Sequence, residues 1–117
     1  MRVLVVEDDR DAREGLVELL RNHSFEVEGA ADGRAALKGL AAEPPDVILL
    51  DLALPDMGGD EFLGTLREDA RYADIQVVVM SAWARTIDPP VPIAGWLPKP
   101  VDTAALLAML GRFAKRS

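Results

Sequence analysis

The chain has 117 residues, half of them hydrophobic, and no cysteine. This length suits one domain with one core, and the hydrophobic content predicts a packed globule rather than a disordered segment. The lack of cysteine excludes a disulfide framework and a thiolate zinc site. The formal net charge of −7 argues against direct binding of nucleic acid, which needs clustered Lys and Arg, and against docking on anionic lipid.

The sequence contains no apolar run near the roughly 20 residues that a membrane-spanning helix needs. The N-terminal segment also turns acidic at Glu7, too early for a signal peptide. We therefore expect a cytoplasmic protein without a membrane partner.

Hydrophobic periodicity predicts that strands and helices alternate along the chain. Short apolar or alternating runs predict five strands, at residues 3–6, 25–30, 46–51, 75–80 and 93–97. Helical patterns predict a helix capped by Asp9, a second opened by Asp32 or Gly33, a third over about residues 60–70, and a last one capped by Asp102 or Thr103. This alternation implies an α/β fold with a parallel sheet and right-handed crossovers.

Chemically active side chains follow the predicted strands, at the edge where ligands gather in such folds. They are Glu7, Asp8 and Asp9, then Asp51, Ser81 and Lys99. Taken singly, these residues are more often a solvated helix start, a turn residue or a surface lysine. Their joint placement at one edge of the sheet favours a functional site.

An edge with several carboxylates needs a cation, because crowded carboxylates repel one another. Oxygen ligands without His or Cys favour Mg²⁺, which uses one or two protein carboxylates together with phosphate oxygens. Glu7, Asp8 and Asp51 fit this requirement, while Lys99 adds a fixed positive charge and Ser81 a hydroxyl donor. A carboxylate in these surroundings is suited to accepting a phosphoryl group.

Four short motifs resemble those of the receiver domains of bacterial two-component response regulators. In chain order they are LVVEDD at residues 4–9, DLALP at 51–55 with Gly59 behind it, VVVMSA at 77–82 and LPKP at 97–100. The resemblance covers the whole length, so residues 1–117 are expected to form a single receiver domain without an output domain. It implies a flavodoxin-like doubly wound sheet with strand order 2-1-3-4-5.

The resemblance also implies a role for each residue of the site. Asp51 is expected to accept a phosphoryl group from a phosphohistidine on a sensor histidine kinase or phosphotransfer protein, and the phosphorylated chain to act on an unknown downstream protein. Asp8, Asp51 and the backbone carbonyl of Ala53 are expected to bind Mg²⁺, with Glu7 acting through a water molecule. Ser81 is expected to contact the phosphoryl group, and Lys99 to pair with Asp51 or the phosphate.

The sequence departs from the family at three places. Trp96 stands where a smaller aromatic residue usually switches position together with Ser81; a simple core-packing role for Trp96 is about as well supported. Three prolines at residues 89–92 predict that the fourth helix of the family is short or missing. Ala53 and Trp83 offer no polar group to orient a water molecule, which predicts slow self-dephosphorylation.

The Lys99-Pro100 peptide bond is expected to be cis, as is usual in the family.

Three other functions compete with the phosphoacceptor switch. A degenerate receiver would act only as a protein-interaction module; retention of the site residues speaks against it. A Mg²⁺-dependent phosphatase of the haloacid dehalogenase type would carry a second Asp two residues after Asp51, where Ala53 stands. The letters GGDEF at residues 58–62 match diguanylate cyclases, but that domain is longer than this chain, and here the motif is predicted to open a helix. The chain is thus not expected to be a stand-alone enzyme, beyond catalysing its own phosphorylation and dephosphorylation.

Overall fold

The computed structural model describes residues 1–82 and 93–116, with side chains to residue 114. Within residues 1–82, strands and helices alternate as the periodicity predicts, and a strand and a helix follow in residues 93–116. The strands are β1 (Arg2–Val6), β2 (Glu26–Ala30), β3 (Val47–Asp51), β4 (Gln76–Ser81) and β5 (Gly95–Pro98). The helices are α1 (Arg10–Asn22), α2 (Gly33–Ala42), α3 (Gly59–Glu68) and α4 (Thr103–Arg116), and one 3-10 turn, Ala70–Tyr72, follows α3.

The five strands form one parallel sheet in the order β2-β1-β3-β4-β5. The predicted fold class and strand order are therefore confirmed. Residues 83–92, where a short or missing fourth helix was predicted, lie outside the described residues.

Two hydrophobic clusters cover the two faces of the sheet, because successive strand residues point to opposite faces. Leu4, Ile48 and Val77 pack with α2 and α3 on one face. Val5, Leu49 and Val78 pack with α1 and α4 on the other. The central strands are buried on both sides, so their sequences are almost continuously apolar.

Side chains cap the helices where the sequence predicts. Asp9 accepts hydrogen bonds from the N–H groups of Asp11 and Ala12 at the start of α1. Asp32 accepts one from Ala35 N at the start of α2, and Asp102 accepts from two N–H groups of α4. Each helix runs back against its strand, so these caps lie at the carboxyl edge of the sheet.

No helix within residues 1–82 and 93–116 is both long and apolar enough to cross a membrane.

Candidate functional site

The carboxyl edge of the sheet brings the predicted site residues together from four strands. Glu7 directly follows β1, Asp51 ends β3, Ser81 ends β4, and Lys99 directly follows β5. Asp51 lies opposite Met80 in the register, one residue before Ser81. The N–H of Lys99 donates to the carbonyl of Ser81 at 3.2 Å, which ties the ends of β4 and β5 together.

Lys99 joins two buried carboxylates at the centre of the edge. Its Nζ lies 2.6 Å from Glu7 Oε1 and 3.1 Å from Asp51 Oδ2. Glu7 is 1% exposed and Asp51 5% exposed, so water screens these contacts weakly. The prediction that Lys99 pairs with Asp51 agrees with this geometry; its shorter contact with Glu7 was not predicted. The Lys99-Pro100 bond is cis, as expected.

The second oxygen of Asp51 is fixed by the loop that follows β3. The N–H of Ala53 donates to Asp51 Oδ1 at 3.0 Å. With Oδ2 held by Lys99, the carboxylate has a defined orientation. Ala53 itself is exposed at the mouth of the site.

Three carboxylates lie close enough to hold a cation. Glu7, Asp8 and Asp51 each offer an oxygen within 4.8 Å of the other two. Within the described part of the chain, Glu7 Oε2 is buried and has no hydrogen-bond partner, so it can accept a further ligand. The donor set consists of hard oxygen atoms, and Asp8 is exposed to solvent, which suits a partly hydrated Mg²⁺.

Burial and mutual contacts separate the two buried carboxylates in acidity. Burial first, and the adjacent Asp51 carboxyl second, raise the pKa of Glu7 from 4.5 to about 7, although Lys99 opposes this. Burial alone would raise the pKa of Asp51 as well. The adjacent Glu7 carboxyl, the N–H of Ala53 and Lys99 together outweigh that effect, so the pKa of Asp51 lies below its usual value. Asp51 is thus an ionised carboxylate at neutral pH, while Glu7 exchanges its proton there.

The ammonium group of Lys99 is held in its charged form. Burial would lower the pKa of Lys99, but its contacts with Glu7 and then Asp51 outweigh burial and raise it. A charged lysine between two carboxylates is therefore maintained at neutral pH.

Trp96 lies partly buried against the cluster under α2 and α3. Its Nε1 is buried and, among the residues described, meets no hydrogen-bond acceptor. Trp83 falls outside the described residues, so its expected place near the site stays a prediction. The GGDEF letters open α3, with Gly58 as the N-cap, as predicted.

Two residues near the site were missed from the sequence. The guanidinium of Arg13 in α1 donates to the carbonyl of Glu7 at 2.9 Å and so supports the end of β1. Asp56 connects the loop after β3 to the start of α2. Neither contact has a local sequence signal, because each joins segments that meet only in the folded chain.

Comparison with known proteins gives the family. Residues 3–111 match the model of the response regulator receiver domain. Protein Rrf1 of Nitratidesulfovibrio vulgaris is 35% identical over 112 residues, covering 95% of this chain and 80% of that protein. The response regulator MprA of Mycolicibacterium vanbaalenii is also 35% identical, over 124 aligned positions, and this chain spans only 52% of its length.

A solved structure agrees with the sequence relatives. The chemotaxis response regulator CheY4 of Vibrio cholerae superposes with a TM-score of 0.86 at 32% identity, covering 96% of this chain and 97% of that one. The chain belongs to the response regulator receiver domain family.

Proposed function

We propose that the chain is a phosphoacceptor switch in which Asp51 takes a phosphoryl group from a phosphohistidine of a sensor kinase or phosphotransfer protein. The observation that carries this proposal is the buried carboxylate of Asp51, bound by Lys99 and adjacent to two further carboxylates. An isolated buried carboxylate would take up a proton instead of remaining ionised.

The transfer requires a carboxylate nucleophile of fixed orientation. An oxygen of Asp51 attacks the phosphorus atom, the bond between phosphorus and the histidine nitrogen breaks, and the electron pair returns to the imidazole. The low pKa of Asp51 keeps it ionised for this attack. The Ala53 N–H and Lys99 hold its two oxygens, and orientation of this kind removes much of the entropic barrier.

The negative charge on the phosphoryl group must be compensated, and the chain supplies metal ligands, an ammonium group and a hydroxyl group for this. Asp8, Asp51 and the Ala53 carbonyl would hold Mg²⁺, with Glu7 behind them, and the ion would neutralise charge on the phosphoryl oxygens. Lys99 would move its contact from the Asp51 carboxylate to the phosphoryl group. Ser81, at the end of β4, would donate its hydroxyl to a phosphoryl oxygen, and Trp96 would respond to that movement.

The surface beside the site suits an approaching helix of the phosphodonor. An open groove of about 560 Å³ lies between α1 and the start of α4, and Glu7 and Lys99 line its inner end. Leu16 and Leu19 of α1 line its walls and remain partly exposed. We propose that the kinase or phosphotransfer protein docks there, and that an unidentified protein recognises the phosphorylated form.

Tryptophan fluorescence tests the proposal. Addition of Mg²⁺ and then of beryllofluoride, which imitates a phosphoryl group, is expected to change the emission of the wild-type protein in two steps. Asp51→Asn should lose the second step, whereas Asp60→Asn, an exposed Asp in the first turn of α3, should retain both. Loss of neither step in Asp51→Asn would contradict the assignment. A wild-type protein without any response would favour the alternative of a degenerate receiver that only binds partners.

Hydrolysis of the acyl phosphate is expected to be slow. The Ala53 side chain ends at Cβ and cannot hold a water molecule for attack on phosphorus. Retention of the phosphoryl group over many minutes would agree with this, and replacement of Ala53 by Asn should shorten its lifetime.

A further inference from the structure

The loop after β3 is clamped at its far end by a carboxylate. Asp56 Oδ1 accepts a hydrogen bond from Gly33 N at 2.8 Å, and Asp56 Oδ2 accepts one from Arg34 N at 2.9 Å. These are the first two N–H groups of α2, which have no acceptor inside the helix. Asp56 thus binds a helix that begins 23 positions earlier in the chain.

The residue next to Asp56 fits into a space that only glycine leaves. A Cβ atom built on Gly33 would lie 2.5 Å from Met57 Cγ and 2.6 Å from Met57 Sδ. Gly33 is buried, and Met57 packs against the cluster under α2 and α3. The two contacts together, one polar and one steric, fix this end of the loop on α2.

The near end of the loop is fixed at the candidate site. The Ala53 N–H binds Asp51 Oδ1, and Gly59 N donates to the Leu52 carbonyl at 2.9 Å. A Cβ at Gly59 would lie 2.5 Å from Leu52 Cδ2, so close packing also holds this closure. Ala53 therefore lies on a short segment with an anchor on each side.

We propose that Asp56 is a positioning residue for the magnesium site, because its clamp on α2 fixes the backbone of Ala53 in the orientation that metal binding needs. This inference rests on the proposed function, in which the Ala53 carbonyl is a metal ligand. Without the clamp, the loop has to become ordered when the metal binds, and that entropy cost reduces affinity.

The ionisation state of Asp56 supports the clamp. Asp56 is exposed, and the slight desolvation of its carboxyl opposes ionisation, but backbone N–H groups, those of Gly33 and Arg34 first, outweigh it and lower the pKa of Asp56. The carboxylate is therefore charged at neutral pH and interacts favourably with the amino end of α2.

The first three variants separate a positioning role of Asp56 from its effect on the stability of α2. Asp56→Ala removes both acceptors and is expected to weaken Mg²⁺ binding by about tenfold, as loss of a group that orients a metal ligand does. Asp56→Asn keeps one side-chain oxygen and should fall between this variant and the wild type. Asp32→Ala is the matched control, since Asp32 caps the same helix through Ala35 N at 2.8 Å but makes no hydrogen bond to the loop among the described residues. Its Mg²⁺ affinity should equal that of the wild type.

Two further variants replace glycine residues in the same helix. Gly33→Ala places a methyl group against Met57, whose side chain must shift to make room, and is expected to loosen the loop on α2 and weaken Mg²⁺ binding. Gly39→Ala is its control, because no heavy atom in the described part of the chain lies within 4 Å of a Cβ at Gly39. Gly39→Ala should bind Mg²⁺ as the wild type does.

Two measurements decide the outcome. The first is the Mg²⁺ dissociation constant, from tryptophan fluorescence and from the rise of the unfolding temperature with Mg²⁺ concentration. The second is the rate of phosphorylation by acetyl phosphate, which for Asp56→Ala should return to within about twofold of wild type at saturating Mg²⁺. A residue that only stabilises the fold would not give this separation of metal affinity from maximal rate.

Several results would overturn the inference. Equal Mg²⁺ affinity in Asp56→Ala and wild type would remove the positioning role, as would equal weakening in Asp56→Ala and Asp32→Ala. If Asp56→Ala does not fold, Asp56→Asn and the two glycine variants decide in the same way. A wild-type protein that binds no Mg²⁺ would overturn the proposed function together with this inference, whereas failure confined to the variants would leave the proposed function intact.

Discussion

At each end of the sheet a cation contacts two carboxylates, but only at the carboxyl end are those carboxylates buried. At the carboxyl end, Lys99 lies between Glu7 and Asp51, whose side chains are 1% and 7% exposed. Their charges are shielded from water, and the pKa values of both acids are displaced in opposite directions.

At the amino end, the two carboxylates of the same charge arrangement lie in solvent, although the Arg2 side chain is only 21% exposed. Arg2 contacts Glu26 at 3.0 Å and Glu43 at 2.8 Å, and the two glutamate side chains are 75% and 65% exposed. Water and salt screen such pairs, so they contribute little. Burial of the carboxylates, rather than the number of charges, therefore distinguishes the two ends of the sheet.

Removal of the cation that contacts the two buried carboxylates should have the largest effect on stability. Lys99→Ala leaves Glu7 and Asp51 without compensation. We expect a loss of about 1–2 kcal/mol, below the 3–5 kcal/mol typical of a fully buried pair because Lys99 is partly exposed. Urea unfolding at neutral pH with a chelator measures it. Lys38→Ala, on the exposed side of α2, is the control, and an equal loss in both variants would contradict the comparison.

The buried end should also give stability a distinctive pH dependence. Because the pKa of Glu7 is about 7 in the folded chain and near 4.5 when unfolded, the folded state binds more protons between these values. Its stabilising contribution is fully present below about pH 4.5 and is lost as the pH rises through about 7.

Glu7→Gln should remove that dependence while keeping the shape of the side chain. Urea midpoints measured with a chelator at pH 5, 6 and 7.5 should decline in the wild type and stay flatter in the variant. The depressed pKa of Asp51 acts only at lower pH, so it does not obscure this window. Parallel pH profiles for the two proteins would show that Glu7 does not titrate as its burial requires.

The exposed end should give the smallest effect. Arg2→Ala is expected to cost about 0.5 kcal/mol, and high salt should remove most of the difference, because the pairs with Glu26 and Glu43 are screened. Urea unfolding at low and high salt checks this. A loss as large as that of Lys99→Ala, or one insensitive to salt, would contradict the distinction between the two ends.

Much of the fold follows from local signals in the sequence. Asp9, Asp32 and Asp102 cap the predicted helices, because a carboxylate before an apolar pattern satisfies the free N–H groups. The strands follow from apolar runs, with boundaries shifted by one or two residues, as for β2, which begins at Glu26 rather than Phe25. The strand order came from the family resemblance, since alternation alone permits several orders.

Sequence reasoning predicted which residues form the site, but not which contacts their side chains make with one another. Residues at strand ends must share an edge, which brought Glu7, Asp51 and Lys99 together from positions far apart in the chain. The link of Lys99 to Glu7 at 2.6 Å and the clamp of Asp56 on α2 depend on side-chain directions and loop paths. Periodicity and caps carry no information on these, because they describe one segment at a time.

The most direct test of the phosphoacceptor is to locate the phosphoryl group. The protein is incubated with Mg²⁺ and acetyl phosphate, the acyl phosphate is trapped by borohydride reduction, and peptides are analysed by mass spectrometry. The account predicts that one residue, Asp51, is modified, that omission of Mg²⁺ greatly reduces the yield, and that Asp51→Asn gives none. Modification of Asp8 or another carboxylate in place of Asp51, or none in the folded wild-type protein, would contradict it.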